Sequence, residues 1–78
     1  MSKQPGILKV IHAVADISTD PTPDESLFDS GTLDSFTLPD LVTGLEQEFN
    51  VKIPDADLVP ERFDTVTKIE AYLDSRKN

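Results

Sequence analysis

The sequence predicts an all-α fold of three main helices and a fourth, short one, with a long loop between the first two. Two periodic stripes and one absence carry that prediction. Ile7, Val10, Ile11, Val14 and Ile17 recur at helical spacing, and so do Leu38, Leu41, Val42, Leu45 and Phe49. No two segments alternate apolar and polar residues as a strand pair requires, and no internal repeat is visible. At 78 residues the chain is expected to form one domain over residues 1–78. A domain of that size buries only about 60% of the surface its unfolded chain exposes, so a large internal active site is not expected.

Helix one is entered near Pro5, because proline's fixed φ and missing N–H suit a first turn, and it is expected to finish around Ser18. From Thr19 to Asp34 the stretch TDPTPDESLFDSGTLD holds two prolines and a glycine. A loop this long fits a compact domain only if it is pinned or functional. Leu27, Phe28 and Leu33 are its strong apolar anchors. Helix two is expected from about Ser35 to Phe49, with Asp40, Thr43 and Gln47 opposite its stripe. Pro39 is tolerated only in a first turn, so the helix starts no earlier than about Asp34 or Ser35, which places Ser35 at or beside the N-cap. Gly44 lowers helix propensity by roughly 1 kcal/mol relative to alanine, and nothing in the sequence explains it. Asn50 stops the helix, and Val51 and Ile53 alternate in an extended connector ending at Pro54. Pro60 opens the short helix, a single turn through Phe63. Asp64 or Thr65 then caps a last helix carrying Val66, Ile69, Tyr72 and Leu73.

Fifteen acids against seven bases leave a formal charge of −8, which repels nucleic acid and acidic membranes and favours basic partners. The bases Lys3, Lys9, Lys52, Arg62, Lys68, Arg76 and Lys77 are dispersed. With neither a spanning apolar run nor a signal-like start, the chain is expected to be cytoplasmic, without stable membrane insertion, and monomeric. It has no cysteine, which excludes disulfides, thiolate nucleophiles and thiolate metal sites. Any thiol chemistry must be imported. A hydrolase triad lacks its parts, since His12 is the one histidine and there is no G-x-S-x-G elbow; His12 reads as a solvated side chain on helix one. The acids between residues 16 and 34 lack the ordered spacing of a calcium loop. No catalytic residue and no metal site is expected.

The stretch GTLDSF, residues 31–36, leaves two readings of Ser35 open. It is an ordinary helix N-cap, or it is the position where the protein works. Its neighbourhood resembles the acyl carrier protein family. Asp34-Ser35-Phe36 is similar to that family's D-S-L attachment motif, and Leu41, Leu45, Glu46 and Phe49 to its L-x-x-x-L-E-x-x-F helix. The I-P-x-x-x-L stretch from Ile53 to Leu58 and the T-V-x-x-I stretch from Thr65 to Ile69 follow in the same order.

The resemblance implies a four-helix bundle that is not itself an enzyme. It also implies a 4′-phosphopantetheine arm esterified to Ser35, carrying acyl groups as thioesters for fatty acid or polyketide biosynthesis. The implied partners are a phosphopantetheinyl transferase and basic-surfaced acyl-transferring enzymes. Phe36, Thr37 and Pro39 depart from the first turn of many fatty-acid carriers, and the L-D-S form is also similar to D-alanyl carriers. An aminoacyl carrier is therefore one alternative; an unmodified acidic helical interaction module is another, from a different class.

A phosphodiester on Ser35 is expected to meet the free N–H groups and positive dipole end of helix two. Asp34, Asp40, Glu46 and Glu48, on or beside that helix, are the expected docking acids. At about 100° per residue Phe36 points roughly 160° from the centre of the apolar stripe, so it is expected to face solvent as an apolar anchor for partners. The competing placement folds its ring back onto Leu33 or Phe28.

Overall fold

Both stripes fold as helices in a computed structural model that describes residues 3–76; Lys77 lies outside the described residues. Helix α1 spans Gln4–Val14, α2 spans Leu38–Phe49 and α3 spans Val66–Arg76. Among the described residues there is no strand. The predicted short helix is a single 3₁₀ turn at Pro60–Arg62, and a second such turn follows Pro54 at Asp55–Asp57. The architecture is thus three α-helices joined by irregular chain and isolated 3₁₀ turns, with a single 3₁₀ turn where the short helix from Pro60 was expected.

The core is built where the stripes meet. Ile7 and Ile11 from α1, Leu41 and Leu45 from α2, and Ile69 and Leu73 from α3 are fully buried, with Phe63 between α2 and α3 in the chain. Helix α1 stops earlier than its stripe suggests: Ala15 is already extended, at φ −128° and ψ 139°, and its N–H donates to the Ile11 carbonyl. Asp16, Ser18 and Asp20 follow, residue types that bond nearby backbone groups at the expense of a helix. Ile17 still packs against the core, from the loop.

The structure supplies the reason for Gly44 that the sequence lacked. A Cβ there would lie 2.6 Å from Val10 Cγ1 on α1, and one at Gly6 would lie 2.8 Å from the Phe49 ring. The two helices pass close enough that only hydrogen fits at these points, and the burial this closeness allows offsets the propensity cost.

The loop over residues 15–37 is pinned as its apolar anchors predicted, with Leu27 and Leu33 buried and Phe28 half-buried. Hydrogen bonds add to this: Leu27 N–H donates to the Asp64 carbonyl at 2.6 Å, Leu33 N–H to the Leu27 carbonyl at 2.9 Å, and Thr67 N–H to the Pro23 carbonyl at 3.0 Å. Thr65, one of the two predicted caps, serves α3, its Oγ1 accepting the Lys68 N–H at 3.0 Å. Further along α3, the Tyr72 hydroxyl donates to Asp57 Oδ2 at 2.6 Å and its ring meets Phe63 edge-on at 5.3 Å. Burial, with the Asp57 carboxylate beside it, pushes the Tyr72 hydroxyl up to about 12.

Candidate functional site

Ser35 lies in a turn that the chain enters through Gly31 and Leu33. Gly31 has φ +83°, a left-handed conformation that side chains with a Cβ rarely adopt. Leu33, buried, then anchors the backbone immediately before the turn.

The turn is closed by Asp34 and Thr37. Asp34 Oδ1 accepts the N–H of Phe36 and that of Thr37, both at 2.9 Å, while Thr37 Oγ1 accepts the Asp34 N–H at 2.8 Å. This is a reciprocal capping box, with threonine in the place usually held by glutamate or glutamine. The Leu38 N–H donates to the Asp34 carbonyl at 3.0 Å. Pro39 has no N–H to offer the Ser35 carbonyl, so the regular hydrogen-bond ladder of α2 is interrupted there and the helix proper begins at Leu38, not Ser35. The Thr37 N–H, and after it the Phe36 N–H, hold the Asp34 carboxyl below its ordinary value of 3.8.

The capping carboxylate is that of Asp34, so Ser35 sits beside the cap and is not itself the cap. One expectation changes: the N–H groups expected to greet a phosphate are already taken, those of Phe36 and Thr37 by the Asp34 carboxylate. What is left free is the serine itself. Ser35 is exposed, and among the described residues its hydroxyl has no hydrogen-bond partner. The nearest rival, Ser30, is committed: its Oγ donates to the Leu27 carbonyl at 3.2 Å and lies 3.0 Å from Thr32 Oγ1.

The other predicted site residues divide. Phe36 is 87% exposed, the one large apolar side chain left in solvent among the described residues, and its ring does not fold back onto Leu33 or Phe28. Asp40 is exposed in the first turn of α2. Asp34, Ser35, Phe36 and Asp40 therefore share the head of α2. Glu46 and Glu48 lie one and a half to two turns beyond Asp40, roughly 9–12 Å along the axis, and both have structural partners. Glu46 Oε2 accepts the Ile53 N–H at 2.8 Å, holding the chain that leaves α2, and Glu48 pairs with Lys9 of α1 at 3.3 Å. His12 is on the surface, its Nε2 2.5 Å from Asp20 Oδ1. Sequence reasoning passed over Thr37, although Asp34-x-x-Thr37 has the spacing of a capping box. It also assigned Asp64 only a possible capping role, whereas the Asp64 carboxylate binds the loop.

Fold and site together define a small all-helical domain that presents an uncommitted serine at the head of its second helix. The model of the phosphopantetheine attachment site family matches residues 5–73, and the chain belongs to that family, whose cofactor is covalently attached 4′-phosphopantetheine. Similar curated proteins include the D-alanyl carrier proteins of Streptococcus pyogenes serotype M5 (strain Manfredo), serotype M49 (strain NZ131) and serotype M1. Each is 46% identical over 46 residues, an alignment covering 59% of this chain and 58% of the relative. No helix among the described residues is long and apolar enough to cross a membrane.

Proposed function

We propose that this protein is a carrier whose Ser35 bears the phosphopantetheine arm, and that its cargo is a small aminoacyl group of the D-alanyl type. The observation that carries the attachment reading is the free, exposed Ser35 hydroxyl beside a cap made by its neighbours. A serine used as a cap would have its oxygen committed to backbone N–H groups; Asp34 takes that task and leaves Ser35 Oγ available to attack a phosphoryl group. When attached, the arm supplies a thiol, which a chain without cysteine cannot provide or compete with.

The D-alanyl reading is supported by the D-alanyl carrier proteins among the similar curated proteins. Delivery works by tethering, which turns encounters between cargo and enzyme into effectively intramolecular steps. Docking is expected at the head of α2, where Phe36 offers an apolar anchor and Asp34 and Asp40 an acidic rim for a basic enzyme surface. Glu46 and Glu48 are assigned to packing, because each already holds another part of the chain. The carrier is read as monomeric and cytoplasmic.

The test is intact mass after incubation with coenzyme A and a broad-specificity phosphopantetheinyl transferase, with the modified peptide located by fragmentation. Wild type is expected to gain one arm on Ser35, and Ser35→Ala to gain none while melting close to wild type, its loss below the about 0.5–2 kcal/mol of a true cap. Modification at Ser30, or mass gain by Ser35→Ala, overturns the assignment. Loading the modified protein with an ATP-dependent D-alanine ligase, in parallel with a fatty-acyl ligase, then decides the cargo.

A further inference from the structure

Asp64 precedes α3, far in sequence from the attachment turn, yet its carboxylate is spent on the loop. Asp64 Oδ1 accepts the Ser26 hydroxyl at 2.7 Å and the Phe28 N–H at 3.4 Å, and the Asp64 carbonyl accepts the Leu27 N–H at 2.6 Å. Ser26 Oγ in turn accepts the Asp29 N–H at 3.1 Å. The Leu27 carbonyl receives the Leu33 N–H at 2.9 Å and the Ser30 hydroxyl at 3.2 Å. Leu33 is bonded directly to Asp34, whose carboxylate closes the turn holding Ser35. An unbroken run of covalent and hydrogen bonds therefore joins the start of α3 to the attachment turn. Helix α3 does not need the Asp64 carboxylate for itself, because Thr65 Oγ1 supplies the cap.

The loop over residues 15–37 has no helical ladder, and fixing each of its residues costs about 1–2 kcal/mol of backbone entropy. Its few tethers therefore decide how much of the time the turn is in place. We propose that Asp64 is a positioning residue for Ser35: through Ser26, Leu27 and Leu33 it keeps the attachment turn in the conformation that a modifying enzyme binds. This rests on Ser35 being the attachment site. An enzyme that binds only the ordered turn sees its apparent affinity reduced by the ordered fraction. Loss of the tether therefore raises KM and leaves the rate at saturation unchanged.

The experiment compares wild type with Asp64→Ala, Asp64→Asn, Ser26→Ala and Thr65→Ala, measuring phosphopantetheinyl transfer kinetics at a temperature where each is folded, and amide hydrogen exchange. Asp64→Ala keeps the main-chain carbonyl but removes the acceptor of the Phe28 N–H, and is expected to speed exchange at the Phe28 and Leu33 amides while Ile69 stays protected. If the turn is then ordered in one molecule in five, transferase KM rises about fivefold with kcat unchanged. Asp64→Asn keeps an oxygen acceptor and is expected to restore both readouts. Thr65→Ala removes the α3 cap but not the tether, so it lowers the melting temperature and leaves KM unchanged. KM for Asp64→Ala at the wild-type value, failure of asparagine to rescue, or an equal rise in Thr65→Ala overturns the proposal. Ser26→Ala removes a single hydroxyl and decides the matter should Asp64→Ala not fold: raised KM with faster Leu33 exchange supports the tether, and no change in either overturns it. A wild-type chain that gains no arm overturns the attachment reading instead, while the exchange data still judge the tether by itself.

Discussion

Truncating Phe36 separates an anchor for partners from a piece of the core. The side chain is 87% exposed, so folding removes only about an eighth of its surface from water. Full burial of a phenylalanine stabilises by about 1.5–3 kcal/mol, and an eighth of that is about 0.2–0.4 kcal/mol. Alanine is the better helix former by a few tenths of a kcal/mol, roughly, which nearly cancels the loss. With roughly 4–8 °C per kcal/mol in a domain of this size, Phe36→Ala is expected to melt within about 3 °C of wild type. Phe63, fully buried, is the internal contrast: its truncation costs about 3–5 kcal/mol, comparable with the whole stability of a small domain.

The functional expectation runs the other way. An apolar anchor inside a charged rim is worth more than about 1 kcal/mol to binding, or at least about fivefold in kcat/KM for the phosphopantetheinyl transferase. Thermal melting by circular dichroism and transfer kinetics on the same preparations check both halves. A melting temperature lowered by 10 °C or so with transfer preserved in the folded fraction would show the ring to be a core element. Unchanged melting with unchanged transfer would show that partners do not use it.

Gly44→Ala is expected to destabilise by about 1–3 kcal/mol, because the new methyl meets the stiff Val10 side chain; adding Val10→Ala should recover part of the loss in a denaturant titration, and additive losses would refute the contact. Asp40→Lys is expected to slow association with a basic transferase at low ionic strength, the difference closing as salt is added; equal stopped-flow rates in both would remove the head of α2 from the docking face. The lowered Asp34 carboxyl stabilises the fold at pH above its ordinary 3.8, and that contribution is lost as pH falls through the depressed native value. Asp34→Asn should accordingly show a flatter acid limb in melting temperature against pH. Tyr72, raised to about 12, works with the opposite sign: its contribution is complete below its ordinary 10.0 and disappears as pH climbs from there through about 12. Tyr72→Phe should flatten the alkaline limb.

The helical stripes were legible because each is local. Leu38, Leu41, Val42 and Leu45 need only the 3.6-residue repeat to share a face, and all four are buried. Pro39 was legible for the same reason, since its missing N–H acts on the carbonyl four residues back wherever the helix is placed. The early stop of α1 was not. Ile17 continues the stripe by spacing and reaches the core without the helix, so periodicity alone could not separate a helical residue from a loop residue buried beside it. Exposure of Phe36 followed from the wheel, although Ser35, Phe36 and Thr37 precede the regular helix, because the capped turn already holds them in nearly helical register.

By itself the sequence determined the class of fold, the acidic composition, the absence of cysteine from the chain and the short stretch that singles out Ser35. Those depend on residue type and on spacing within a few turns. Only the tertiary structure decided which group serves which purpose. Asp34 and Ser35 are adjacent and both are good caps, and the choice between them is made by the geometry of the turn. Glu46 became a strut for Ile53, and Glu48 a partner for Lys9, once α2 and the chain after it were packed. Gly44 acquired its reason only when α1 was laid across it. Asp64 reached Ser26 across 38 positions of sequence, a separation at which local preferences carry no information and only the folded chain brings donor and acceptor together.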